Sequence, residues 1–121
     1  MIDTIPIKPL SNYDLKKYAK LLNIPHFRGV FMKDKLPKKI NDIECGIINF
    51  DKFSGNGTHW VAYKKYKNII YYYDSFALNK LPILVEEYFK PNENTIIFNN
   101  NIDQKINEVI CGHLCLKFLL S

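Results

Sequence analysis

At 121 residues, 47% hydrophobic and 14% aromatic, the chain has the length and composition of one globular domain and not of a disordered segment. No apolar run approaches the roughly 18 residues of a membrane span, and Met1-Ile-Asp-Thr-Ile-Pro6 lacks the parts of a signal peptide, so an intracellular protein with no membrane partner is expected. The net charge of +5 is uneven, with nine Lys/Arg and three Asp/Glu in residues 1–40 against eight and nine in residues 41–121; its densest part, Lys33, Lys35, Lys38 and Lys39, could track a phosphate backbone or be a solvated surface.

Ser11-Asn-Tyr-Asp14 has the form of a capping box, and Leu15, Tyr18, Ala19 and Leu22 follow at three-to-four spacing, which predicts an amphipathic helix over 12–22. From 23 to 43, Pro25, Gly29 and Pro37 interrupt any period, and no element is predicted. Cys45-Gly-Ile-Ile-Asn-Phe50 is a short apolar run expected as a buried strand, followed by a glycine-rich turn, Asp51-Lys-Phe-Ser-Gly-Asn-Gly57. Thr58-His59-Trp60-Val-Ala-Tyr63 and Ile69-Ile-Tyr-Tyr-Tyr73 flank the short polar loop Lys64–Asn68 as an antiparallel hairpin, which Asp74-Ser75 ends.

Leu81, Leu84, Val85, Tyr88 and Phe89 repeat at helical spacing with Pro82 in the first turn, predicting a helix over 80–90 packed on the sheet. Thr95-Ile-Ile-Phe98 is a further strand, and 99–103 leads into a C-terminal stretch whose apolar part starts a helix at Cys111. With no repeat and no linker, residues 1–121 are expected to be a single α+β unit.

Three cysteines, Cys45, Cys111 and Cys115, are too few for a disulfide framework. Cys111, His113 and Cys115 suggest a metal set, but no second pair stands at ligand spacing, and Cys115 falls in the apolar pattern of its helix. Cys111 differs: it opens the helix, where unpaired N–H groups and a partial positive charge favour thiolate over thiol. Gly112 behind it leaves room for another backbone or a substrate.

A cysteine nucleophile needs a base, a group to orient that base, and oxyanion donors. His59 opens one hairpin strand and Asp74 closes the next, so an antiparallel pairing can bring them side by side. Asp74 would accept from one imidazole nitrogen while the other faces Cys111. Gln104 and the backbone N–H of Cys111 would form an oxyanion hole. The bland alternatives are a structural strand histidine and an aspartate in turn chemistry. Two rival bases are less well placed: His26 lies beside Pro25, and His113 points roughly 200° away from Cys111 on the same helix.

Gly57-Thr58-His59-Trp60, Tyr72-Tyr73-Asp74-Ser75-Phe76, and Gln104 with six residues before Cys111-Gly112 occur in the order of the adenovirus-type (adenain-like) cysteine proteases, which the chain resembles. It is especially similar to the relatives encoded by Maverick/Polinton elements and virophages. The likeness extends upstream through Tyr18-Ala-Lys-Leu-Leu-Asn-Ile-Pro-His-Phe-Arg-Gly-Val-Phe31 and Glu44-Cys45-Gly-Ile-Ile-Asn49.

The resemblance implies a papain-like architecture with permuted chain order, a central, mostly antiparallel sheet flanked by helices, and cysteine endopeptidase activity. His59 would be the base, Asp74 its orienter, Cys111 the nucleophile and Gln104 the oxyanion donor, with Gly57, Trp60 and Gly112 against the substrate, Trp60 being otherwise a core residue. The implied task is processing viral or transposon capsid or core precursors at glycine-containing sites, in a virion or in host nucleus or cytoplasm. A monomer without cofactor or metal is expected. The adenovirus enzyme is activated by a disulfide-tethered peptide and by DNA. No cysteine in 93–103 serves such a tether, which leaves non-specific DNA on the lysine cluster as the activator to consider. Two alternatives stay open: a protease removing SUMO or ubiquitin-like modifiers, and a non-catalytic DNA-binding or assembly module on a protease fold.

Overall fold

In the computed structural model, which describes residues 4–50, 59–78, 80–103 and 110–121, the first helix, α1 (Asn12–Leu21), begins as its cap predicts. Ser11 Oγ accepts from Asp14 N at 3.1 Å, and Asp14 Oδ2 accepts from Ser11 N at 3.0 Å, so two N–H groups without helical acceptors are satisfied reciprocally. Leu15 and Ala19, one turn apart, are its buried residues.

Five strands follow, β1 (Phe27–Met32), β2 (Ile43–Asn49), β3 (Trp60–Tyr66), β4 (Ile69–Tyr73) and β5 (Thr95–Phe98), with helix α2 (Ile83–Phe89) before β5 and α3 (Cys111–Leu120) at the end. They form one sheet in the order β1-β2-β3-β4-β5. The β2–β3 and β3–β4 pairs are antiparallel, and β1–β2 and β4–β5 are parallel. The expected mostly antiparallel sheet is therefore corrected to a mixed one. α2 lies between β4 and β5 in sequence, and such a crossover returns the chain in the same direction. The α+β class with flanking helices stands.

β1 lies where no element was expected. Its pairing with β2 slips by one residue between Phe27 and Gly29, and Gly29 sits at φ +155°, where a Cβ would meet the Phe31 ring at 2.9 Å. A bulge with a glycine erases the two-residue period by which a strand is recognised. α2 starts later than predicted, with Pro82 as its N-cap, because the residue before a proline is disfavoured in helical conformation.

The two sheet faces bury different helices. Ile47, Trp60 and Ala62 pack with Leu15 and Ala19 of α1 and with Cys115, Leu116 and Leu119 of α3. Ile48, Val61, Tyr63, Ile70 and Tyr72 pack with Val85, Tyr88 and Phe89 of α2. On the α2 side Gly46 lies under the Tyr63 ring, which an added Cβ would meet at 2.8 Å. The buried carboxylate of Glu44 accepts from Tyr63 Oη at 2.5 Å, Tyr88 Oη at 2.6 Å, Asn41 N at 2.7 Å and Arg28 Nη1 at 2.7 Å. Burial alone would raise its pKa; the two tyrosines, Asn41 N and Arg28 hold it below the ordinary carboxylate value. No described helix is long and apolar enough to cross a membrane.

Candidate active site

Where β3 begins and β4 ends, the hairpin sets the first half of the site. The turn between them holds two residues, Lys67 and Asn68, with Tyr66 opposite Ile69 and Ala62 opposite Tyr73. Continued by one step, this register puts Asp74 opposite Val61 and makes His59 its diagonal neighbour. His59 Nε2 lies 2.9 Å from Asp74 Oδ1, and the aspartate is fully buried. The same Oδ1 accepts from Phe76 N at 2.9 Å. Phe50 and Phe76 flank the imidazole, with ring centroids at 5.1 and 5.0 Å, so the His59–Asp74 contact is largely removed from water.

The second half arrives from the other end of the chain. Cys111 is the first residue of α3 and is buried. The helix is seated on β3 and on α1. Gly112 permits the close approach to α1, since a Cβ there would stand 3.2 Å from Leu15 Cδ2 and 3.4 Å from Leu10 Cβ. Trp60 Nε1 donates to Leu10 O at 2.9 Å, which ties the residue after His59 to the segment that covers Gly112.

Electrostatics separates the three thiols. Burial raises the pKa of Cys111, but the His59 hydrogen bond, the Trp60 and Gly112 backbone N–H groups and the charge on His59 bring it below the ordinary value. Burial likewise opposes the charging of His59; its bonds to Asp74 and Cys111 outweigh this and hold it up at about 9. Burial pushes Cys45 up to about 11 and Cys115 well above its ordinary value. Nε2 is engaged with Asp74, so Nδ1 is the nitrogen left for the thiol. The arrangement can hold a thiolate beside an imidazolium.

Of the residues singled out in the sequence, His59, Asp74 and Cys111 come together. Gln104 and Gly57 lie outside the described residues. Trp60 is buried among core residues, and Gly112 is accounted for by helix packing. The rival bases stand apart: His26 is exposed, at φ 56°, and His113 Nε2 contacts Pro6 O at 2.7 Å. With His113 turned to Pro6 and Cys115 in the core, the metal set of Cys111, His113 and Cys115 is not assembled.

Lys33, Lys35, Lys38 and Lys39 lie between β1 and β2. Lys33 and Lys38 line a cavity of about 220 Å³ whose wall also carries Asp34 and Glu87, so carboxylates offset part of the positive charge. Sequence reasoning missed Phe50 as a wall of the imidazole site, and it missed Asn99, which touches Asp74; an apolar strand end and an asparagine run gave no specific signal for either. Comparison of the sequence with models of known protein families and with curated proteins gives no match.

Proposed function

We propose that the chain is a cysteine endopeptidase of papain-like architecture with permuted chain order, akin to the adenovirus-type proteases. One observation carries the reading. Of three buried thiols, the one with a depressed pKa is the one in contact with a histidine that is held by a buried aspartate. In this mechanism the Cys111 thiolate attacks the scissile carbonyl, and the developing oxyanion is met by the Cys111 N–H and the Gln104 amide. The His59 imidazolium passes its proton to the leaving amine, which leaves an acyl-enzyme. His59 then takes a proton from the attacking water and returns it to the thiol as the acid product departs. Asp74 keeps the imidazole oriented throughout.

The motif order around His59, Asp74, Gln104 and Cys111 supports precursor processing at glycine-containing sites as the task. A glycine-containing precursor peptide should be cleaved by the parent protein and by neither Cys111→Ala nor His59→Ala, with Asp74→Asn weakened. Iodoacetamide near neutral pH should label Cys111 ahead of Cys45 and Cys115 in a peptide map. Full cleavage by Cys111→Ala, or preferential labelling of Cys45, overturns the reading. A Cys111 adduct with a SUMO C-terminal electrophile, without peptide cleavage, would move the activity to deconjugation. The contact between His59 and Cys111 weighs against a non-catalytic module.

A further inference from the structure

Asp74 stands one residue beyond β4, and its neighbour on the other side is not a strand. The parallel ladder with β5 closes at Tyr72 opposite Phe98, and the next backbone contact, Asn99 N to Tyr72 O, is long at 3.3 Å. Past that point a side chain continues the pairing. Asn99 Oδ1 accepts from Asp74 N at 2.9 Å, and Asn99 Nδ2 donates to Asp74 O at 2.7 Å. A carboxamide has the donor and acceptor of a peptide unit, so Asn99 acts toward Asp74 as one more strand residue would. Its Nδ2 also reaches Asn101 O at 3.2 Å, which fixes the sense of the amide.

The chain after Asn99 stays fastened to both neighbours of Asp74. Asp103 N donates to Ser75 O at 2.8 Å, and Tyr73 Oη donates to Asp103 Oδ2 at 2.8 Å. We propose that Asn99 is a positioning residue that aims the Asp74 carboxylate at His59 by holding the Asp74 backbone through both of its polar groups. This rests on the thiol-protease reading of the site. A carboxylate on a short side chain points where its backbone directs it, and here Oδ1 must meet His59 and Phe76 N together. Loosening the backbone lengthens the bond that sustains the imidazolium. Among the described residues, the titratable groups acting on His59 are Asp74 from the end of β4 and Cys111 from α3, and the flanking rings of Phe50 and Phe76 carry no charge.

The test is the titration midpoint of His59, followed by NMR of carbon-labelled histidine with His26 and His113 as internal references, in the parent, Asn99→Ala, Asn99→Ser and Asn94→Ala. Asn94 is the matched control: its Nδ2 donates to Phe89 O at 2.7 Å at the end of α2, a bond of the same kind outside the site. The His59 midpoint should fall by about one pH unit in Asn99→Ala, less than the full effect of removing an opposite charge. Asn94→Ala should lower stability and leave the midpoint in place. Asn99→Ser keeps a hydroxyl able to make one of the two bonds and should shift less, and it serves if the alanine variant does not fold. An unmoved midpoint in a folded Asn99 variant overturns the proposal. A parent without a raised His59 midpoint overturns the thiol-protease reading and this proposal with it.

Discussion

Replacing Cys111 by alanine should change the shape of the stability–pH curve as well as its height. In the unfolded chain near neutral pH a histidine is neutral and a thiol is protonated. In the folded chain His59 is held up at about 9 against an ordinary 6.5 and Cys111 lies below its ordinary 9.0, so that assignment is reversed at any pH between the folded value of Cys111 and that of His59. Where that reversal holds above pH 6.5, folded and unfolded states carry one proton each on the pair, so the pair adds no slope from the folded value of Cys111 up to about 9. The stabilisation from Cys111, whose folded pKa is depressed, is present above its ordinary value and is lost as pH falls through its folded value.

In Cys111→Ala the thiol is gone, and Asp74, the stronger partner of His59, should keep the histidine's folded value above 6.5 against the opposing effect of burial. The folded state now holds a proton that the unfolded state has released. Stability is therefore fully present below 6.5 and lost as pH rises through the folded value, at up to about 1.4 kcal/mol per pH unit. Urea unfolding followed by the fluorescence of Trp60, the one tryptophan of the chain, in small pH steps gives both curves, and their difference cancels every group they share. Parallel curves for the parent and Cys111→Ala would refute the ion pair.

The Glu44 cluster and Gly46 give two further expectations on the α2 side of the sheet. Glu44→Leu leaves the hydroxyls of Tyr63 and Tyr88, Asn41 N and the Arg28 guanidinium without their acceptor. It should cost about 3–5 kcal/mol of unfolding free energy, with Glu44→Gln costing less because an acceptor oxygen remains; a loss in Glu44→Leu no larger than that in Glu44→Gln would refute the account. Gly46→Ala pushes a methyl group into the Tyr63 ring and within 3.1 Å of Gly29 O, and should cost about 1–3 kcal/mol. A denaturation midpoint equal to that of the parent would show that the ring yields freely.

Sequence and structure agree where the information is local. Ser11 with Asp14 and the apolar spacing of α2 each lie within a few residues of what they determine, whereas the hairpin loop expected over Lys64–Asn68 closes instead as a two-residue turn, Lys67–Asn68, because β3 runs on to Tyr66. The turn is the most consequential: once Tyr66 is paired with Ile69, counting along both strands brings His59 to Asp74, whatever the rest of the chain does. β1 was hidden by the Gly29 bulge, and the parallel pairings at both sheet edges depend on crossovers that no strand pattern reports. Asn99 has a role only because β5 lies beside β4. The meeting of Cys111 with His59 is of this second kind. It is delivered by Leu10 and Leu15 packing on Gly112 and by the bond from Trp60 to Leu10 O, contacts between residues 50 or more positions apart in the sequence. The two halves of the site therefore have separate physical origins. A perturbation in α1 at Leu15 would move the thiol away from an imidazole that the hairpin continues to hold, whereas one at the turn would disturb the imidazole and its aspartate while α3 remains seated.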